Sequence, residues 1–103
     1  MYKILMTEPF ERAFSKLDHG MKIEVENIIE KLEQNPYTGK PLRYNLFREK
    51  RIRGYRVYYL IYDQFVTLFI VGISNKKDQE TTIQKIIAML QFYFEEVQKR
   101  IKL

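Results

Sequence analysis

Three strand-like runs, Leu46 to Arg53, Tyr55 to Asp63 and Phe65 to Ser74, follow one another with only Gly54 and Gln64 between them. Connections this short cannot carry a crossover, so the three runs must pair as antiparallel neighbours in a meander. The second and third are apolar on both faces, with Val57, Tyr59 and Ile61 alternating against Tyr58, Leu60 and Tyr62. Strands of that kind lie in the middle of a sheet and are covered on both sides. The first run is mixed, and it carries most of the charge.

The flanking segments supply the covers. Tyr2 to Met6 reads as a short strand, after which Thr7 is placed to cap a helix with Glu8 and Pro9 in its first turn. Phe10, Ala13, Phe14 and Leu17 keep helical spacing up to His19-Gly20, which reads as a stop. Met21, Val25, Ile28, Ile29 and Leu32 form the stripe of a second helix, ended by Asn35-Pro36. Proline and glycine content makes Pro36 to Pro41 a loop. Beyond the meander, Asn75 and Asp78 have capping spacing, and Ile83, Ile86, Ile87, Leu90, Phe94, Val97 and Ile101 define one long helix. The expected fold is α+β, a single small domain over residues 1–103: an N-terminal strand, a helical hairpin, a three-stranded antiparallel meander and a long C-terminal helix.

Composition narrows the chemistry. The chain has no cysteine and one histidine, His19, so a metal site or a nucleophilic triad would have to be built from one imidazole and carboxylates. The expectation is chemistry without metal or cofactor. The start of the chain has no cationic leader pattern, and the longest apolar stretch, Val66 to Ile73, is too short to span a bilayer, which points to a cytoplasmic protein. Of 18 cations, six (Arg43, Arg48, Lys50, Arg51, Arg53 and Arg56) lie in one stretch whose only acid is Glu49. That stretch accounts for the whole net charge of +5. A concentrated positive surface on a neutral body suits a polyanion, and the guanidinium fork matches phosphate oxygens.

Two motifs carry a resemblance. Leu32-Glu-Gln-Asn-Pro-Tyr-Thr-Gly-Lys-Pro-Leu42 and Arg51-Ile-Arg-Gly-Tyr-Arg-Val-Tyr-Tyr59, in this order and spacing, resemble the helix exit and the signature strand pair of the RelE/ParE toxin superfamily. The resemblance implies a toxin silenced by a cognate antitoxin. RelE-type members enter the ribosome and cut mRNA without metal, whereas ParE-type members inhibit DNA gyrase without a nuclease step. By that resemblance Arg56 is the phosphate-binding arginine, and Arg51 and Arg53 match the basic pair of the preceding strand. The general base is Lys50 or Glu49, since arginine, with a pKa above about 12, cannot take the proton. Lys76 or Lys77 stands where a basic residue assists the leaving group. Arg43, Arg48, Tyr55 and Lys77 are expected to hold RNA. The tyrosine that RelE-type members place early in the last segment is missing, with Thr81, Thr82 and Ile83 in its place, so base stacking falls to Tyr55 or Tyr44. Met89 and Phe92 lie off the main stripe of the last helix and form a candidate antitoxin contact.

Overall fold

A computed structural model describes residues 1–102. The elements are β1 (Lys3–Met6), α1 (Glu8–Ser15), α2 (His19–Gln34), a 3-10 turn (Pro36–Thr38), β2 (Lys40–Leu42), β3 (Tyr44–Ile52), β4 (Tyr55–Tyr62), β5 (Thr67–Asn75), α3 (Gln79–Ala88) and α4 (Leu90–Ile101). The five strands form one sheet in the order β1-β5-β4-β3-β2. β3, β4 and β5 make the expected meander, with Arg51 opposite Arg56 and Arg56 opposite Ser74. β1 joins its far edge parallel to β5, pairing Lys3 with Thr67.

Strand alternation divides the interior into two cores. Val57, Tyr59, Ile61, Leu68 and Ile70 face α1 and α2, packing on Phe10, Met21, Val25, Ile29 and Leu32. Phe47, Tyr58, Leu60, Tyr62, Phe69 and Val71 face α3 and α4, packing on Ile83, Ile86, Tyr93 and Val97. Each large apolar side chain so buried contributes about 1.5–3 kcal/mol relative to exposure. The two covers are therefore fixed by the strand pattern itself.

Local signals set most boundaries. The Phe10 N–H donates to Thr7 Oγ1 at 3.2 Å, and the Met21 N–H donates to Asp18 Oδ1 at 2.8 Å. The second of these corrects an expectation: His19 does not stop α1 but is the first residue of α2, because Asp18 caps that helix. Two further corrections follow. Lys40–Leu42 pairs antiparallel with β3, so the proline-rich segment ends in a short edge strand; Pro41 is tolerated there because an edge position needs no second ladder bond. The long C-terminal helix is two helices broken at Met89, whose backbone leaves helical geometry at φ −108 and ψ 9. The break lets α3 and α4 each lay an apolar stripe on a twisted sheet.

The Pro36–Leu42 segment is held from below. The Tyr59 hydroxyl donates to the Pro36 carbonyl at 2.6 Å and accepts the Gly39 N–H at 3.1 Å. A Cβ on Gly39 would lie 2.2 Å from that hydroxyl oxygen and 2.8 Å from the Glu49 carbonyl oxygen, so only glycine fits.

Candidate active site

Alternation along β3 and β4 decides which basic residues can act together. Glu49 and Arg51 lie on the same face as Phe47, and Arg56 on the same face as Tyr58, all toward α3. Two arginines directly opposite on neighbouring strands oppose each other electrostatically, an arrangement that a sheet selected for stability alone avoids. Next to this row, Glu49 stands opposite Tyr58, whose hydroxyl shares a 2.8 Å hydrogen bond with Ser74 Oγ. A register shift in the β4–β5 ladder just beyond Tyr58 lies beside the cluster, a common device for aiming side chains at a site.

Glu49 and Arg56 are closed to solvent, whereas the Arg51 side chain is largely exposed. Glu49 is 2% exposed and Arg56 4% exposed. Glu49 Oε1 accepts a hydrogen bond from Gln79 Nε2 at 2.9 Å, while Oε2 lies 3.8 Å from Arg51 Nε and has no hydrogen-bond partner. Arg56 makes one long bond, Nη1 to the Gly54 carbonyl at 3.4 Å, and its buried Nε has no partner. Buried polar atoms are nearly always paired, so an acceptor and a donor left open on the same face of neighbouring strands stand out. Burial pushes the Tyr58 hydroxyl pKa up, keeping it protonated at neutral pH.

The remaining expected site residues are distributed elsewhere, so the basic stretch does not form one surface. Lys50 points to the opposite face, where Nζ donates to the Thr38 carbonyl at 3.4 Å, and it does not join Glu49 and Arg56. Arg53 occupies the β3–β4 turn at φ 54 and pairs with Glu24 of α2 at 2.6 Å. Arg48, expected to hold RNA, is turned inward. Its guanidinium donates to the carbonyls of Tyr37, Gly39 and Asn45 and to Asn45 Oδ1, and lies 4.8 Å from the Tyr37 ring centroid. Every donor nitrogen is thereby committed to the fold. Tyr55 packs against the core on the α1–α2 side and cannot stack a base at this site, whereas Tyr44 is exposed.

Arg43, with φ 63, pairs with Glu80 at 3.1 Å at the start of α3. Lys76 and Lys77 are exposed in the segment joining β5 to α3, at the same end of the sheet as Ser74. Met89 and Phe92 are exposed, and they line a groove of about 260 Å³ with Thr7, Pro9, Phe69 and Tyr93. Three residues of the cluster were not among the expected ones: Tyr58, Ser74 and Gln79. The first two were accessible in principle, since Tyr58 is two residues from Arg56 and Ser74 sits across from it. Gln79 carries no sequence signal.

No group of three or more histidine, aspartate or glutamate side chains is placed to hold a metal ion among the described residues. No helix among them is long and apolar enough to cross a membrane.

Comparison with known proteins places this architecture. Among solved structures, the intact RelBE toxin–antitoxin complex of E. coli matches with a TM-score of 0.68 at 18% identity, over 73% of this chain and 96% of the matched chain. The RelBE2 toxin–antitoxin complex of Mycobacterium tuberculosis matches at 0.65 and 26% identity, over 73% and 91%. The YoeB/ParE toxin of Agrobacterium tumefaciens matches at 0.62 and 16% identity, over 71% and 96%. A search of curated proteins finds no match. The family model described as ParE toxin of the type II toxin–antitoxin system parDE matches residues 4–80, three quarters of the chain. The chain thus belongs to that family, as a RelE/ParE-superfamily toxin of a type II toxin–antitoxin system.

Proposed function

We propose that this toxin is a ribosome-dependent endoribonuclease that cuts mRNA at the cluster of Glu49, Arg51 and Arg56, in the cytoplasm and under the control of a cognate antitoxin. The observation that carries this reading is the open acceptor of Glu49 and the open donor of Arg56 on one face of neighbouring strands, with Arg51 opposite Arg56. Glu49 takes the proton of a ribose 2′-hydroxyl as its oxygen bonds to the adjacent phosphorus. Arg51 and Arg56 neutralise the charge on the phosphorane oxygens. The P–O5′ bond then breaks, leaving a 2′,3′-cyclic phosphate, and the departing oxygen is protonated with the help of Lys76 or Lys77. Lys50 and Arg53, on other surfaces, are left with no part in the chemistry. Among the residues expected to hold RNA, Arg43 and Lys77 remain suited to the task. The ion pair of Arg43 is solvent-exposed and worth about 1 kcal/mol or less, so a phosphate can displace it. The Met89–Phe92 groove is the surface we assign to the antitoxin.

A second reading has its own observation. Glu49 and Arg56 are nearly excluded from solvent, as they can be in a toxin that needs no reacting site, and that favours a gyrase inhibitor acting through its surface. Primer extension on programmed ribosomes separates the two. Fresh 5′ ends with wild-type protein and none with Arg56→Ala support cleavage; intact transcripts together with inhibited supercoiling by gyrase establish the alternative.

A further inference from the structure

If the cluster cuts RNA, the free protein holds it shut. A scissile phosphate must come within hydrogen-bond reach, about 3 Å, of both Glu49 and Arg56, yet neither offers more than 4% of its surface to solvent. Over Glu49 the cover is the start of α3. Gln79, its first residue, donates to Glu49 Oε1, and Glu80, its second, accepts from Arg43. Both sheet-side partners belong to the proposed machinery: the base in one case, an RNA contact in the other. At this end the helix is tied to β5 by the Asp78 N–H, which donates to Asn75 Oδ1 at 2.9 Å, while the Asp78 side chain makes no capping bond and the Arg43–Glu80 pair is exposed. Its apolar anchors, Ile83 and Ile86, lie further along. The segment before it, Lys76–Asp78, is exposed, and the helix ends at the break on Met89.

We infer that the first turn of α3 is a latch over the site, released when RNA phosphates draw Arg43 from Glu80 and Arg51 from Glu49. An RNA phosphodiester, with two charged non-bridging oxygens, competes well for guanidinium against the exposed Glu80 carboxylate and against the long 3.8 Å contact from Arg51 to Glu49. With Arg43 drawn off, Glu80 is free, and Gln79 keeps one side-chain tie, its bond to Glu49 Oε1, which gives way when Glu49 turns to the ribose 2′-hydroxyl; the helix start then swings away from β3. This rests on the endoribonuclease reading for its purpose, but the latch itself has a readout independent of cleavage.

The fold offers a way to hold the latch closed. A Cβ on Gly72 of β5 would lie 3.9 Å from Thr82 Cγ2 of α3, so the two side-chain positions meet, and cysteines there face each other across the sheet–helix boundary. The chain has no cysteine of its own. In the double variant Gly72→Cys/Thr82→Cys, the oxidised protein should cut programmed ribosomal transcripts at least about tenfold more slowly than the same protein after reduction, a difference equivalent to one decade of rate. Equal rates overturn the latch. Backbone amide exchange of α3 in the wild-type protein provides the second measurement, using a short single-stranded RNA as the probe. Faster exchange at Gln79 and Thr82, whose N–H groups donate to the Lys76 and Asp78 carbonyls, with RNA and in Gln79→Ala without it, supports the latch; unchanged protection in both overturns it. Intact transcripts with wild-type and reduced protein refute the nuclease reading alone, and the exchange result then judges the latch.

Discussion

Arg48 and Arg56 are both buried arginines on neighbouring strands, at 8% and 4% exposure, and they differ in almost everything else. Arg48, on the α2 side, meets three backbone carbonyls, one side-chain amide oxygen and an aromatic face. Arg56, on the α3 side, meets one carbonyl at 3.4 Å and leaves its Nε open. A buried cation that serves the fold is saturated with acceptors, because leaving it otherwise costs stability. Arg56 stays undersaturated opposite a second arginine, and so is left open to a further acceptor. Burial alone therefore does not distinguish a structural arginine from a functional one; the count of satisfied donors does.

Exchanging each arginine for methionine puts this contrast at risk. Arg48→Met leaves the carbonyls of Tyr37 and Gly39 without their donor and should cost about 3 kcal/mol of unfolding free energy. Arg56→Met should change stability by about 1 kcal/mol or less while lowering cleavage about a hundredfold. Urea titration and primer extension on the same two proteins test the pair, and a reversed pattern would end the comparison. Gly39→Ala attacks the segment that Arg48 anchors. With no room for a methyl group against Tyr59 and Glu49, it should cost about 2–3 kcal/mol in the same titration. Tyr59→Phe removes the hydroxyl beneath that segment and should cost about 1–2 kcal/mol, with growth arrest retained in cells.

The smallest effect concerns the outer side of the Arg48 region. Asp63 accepts from the hydroxyls of Tyr2 and Tyr37, and these bonds lower its pKa below the ordinary 3.8. Because the folded value is depressed, the stabilisation is present above pH 3.8 and is lost as pH falls through the lower folded value. The melting temperature of the wild-type protein should therefore fall more steeply than that of Asp63→Asn in this acidic window. Parallel curves for the two would show that the tether contributes nothing.

Much of the fold was legible because it depends on period. Alternation in Val57 to Tyr62 specified a covered central strand, and Thr7 and Asn35-Pro36 marked real helix boundaries. The misses are places where local pattern competes with distant packing. The stripe from Ile83 to Ile101 runs through Met89 with no glycine or proline, so nothing local announces the break imposed by the sheet. His19-Gly20 has stop-like composition, but the capping bond comes from Asp18 one residue earlier.

The candidate site was legible in its residue types more than in its grouping. Alternation could place Glu49, Arg51 and Arg56 on one face and Lys50 on the other, once the register of β3 against β4 was known. That Arg48 would be consumed by Pro36–Gly39, or that Gln79 would reach Glu49, depends on contacts between segments far apart in sequence, and no local rule supplies these.

The parallel pairing of β1 with β5 also governs the order of assembly. The most N-terminal strand is synthesised first, yet its only strand partner follows some sixty residues later, Lys3 against Thr67. Contacts of such long range form late and slow the search for the native state. The nascent chain can build helices and hairpin early, but its sheet edge stays unfinished until the last strand has emerged. A chain assembled this way holds β1 unpaired through most of its synthesis and closes that edge only once β5 has been made.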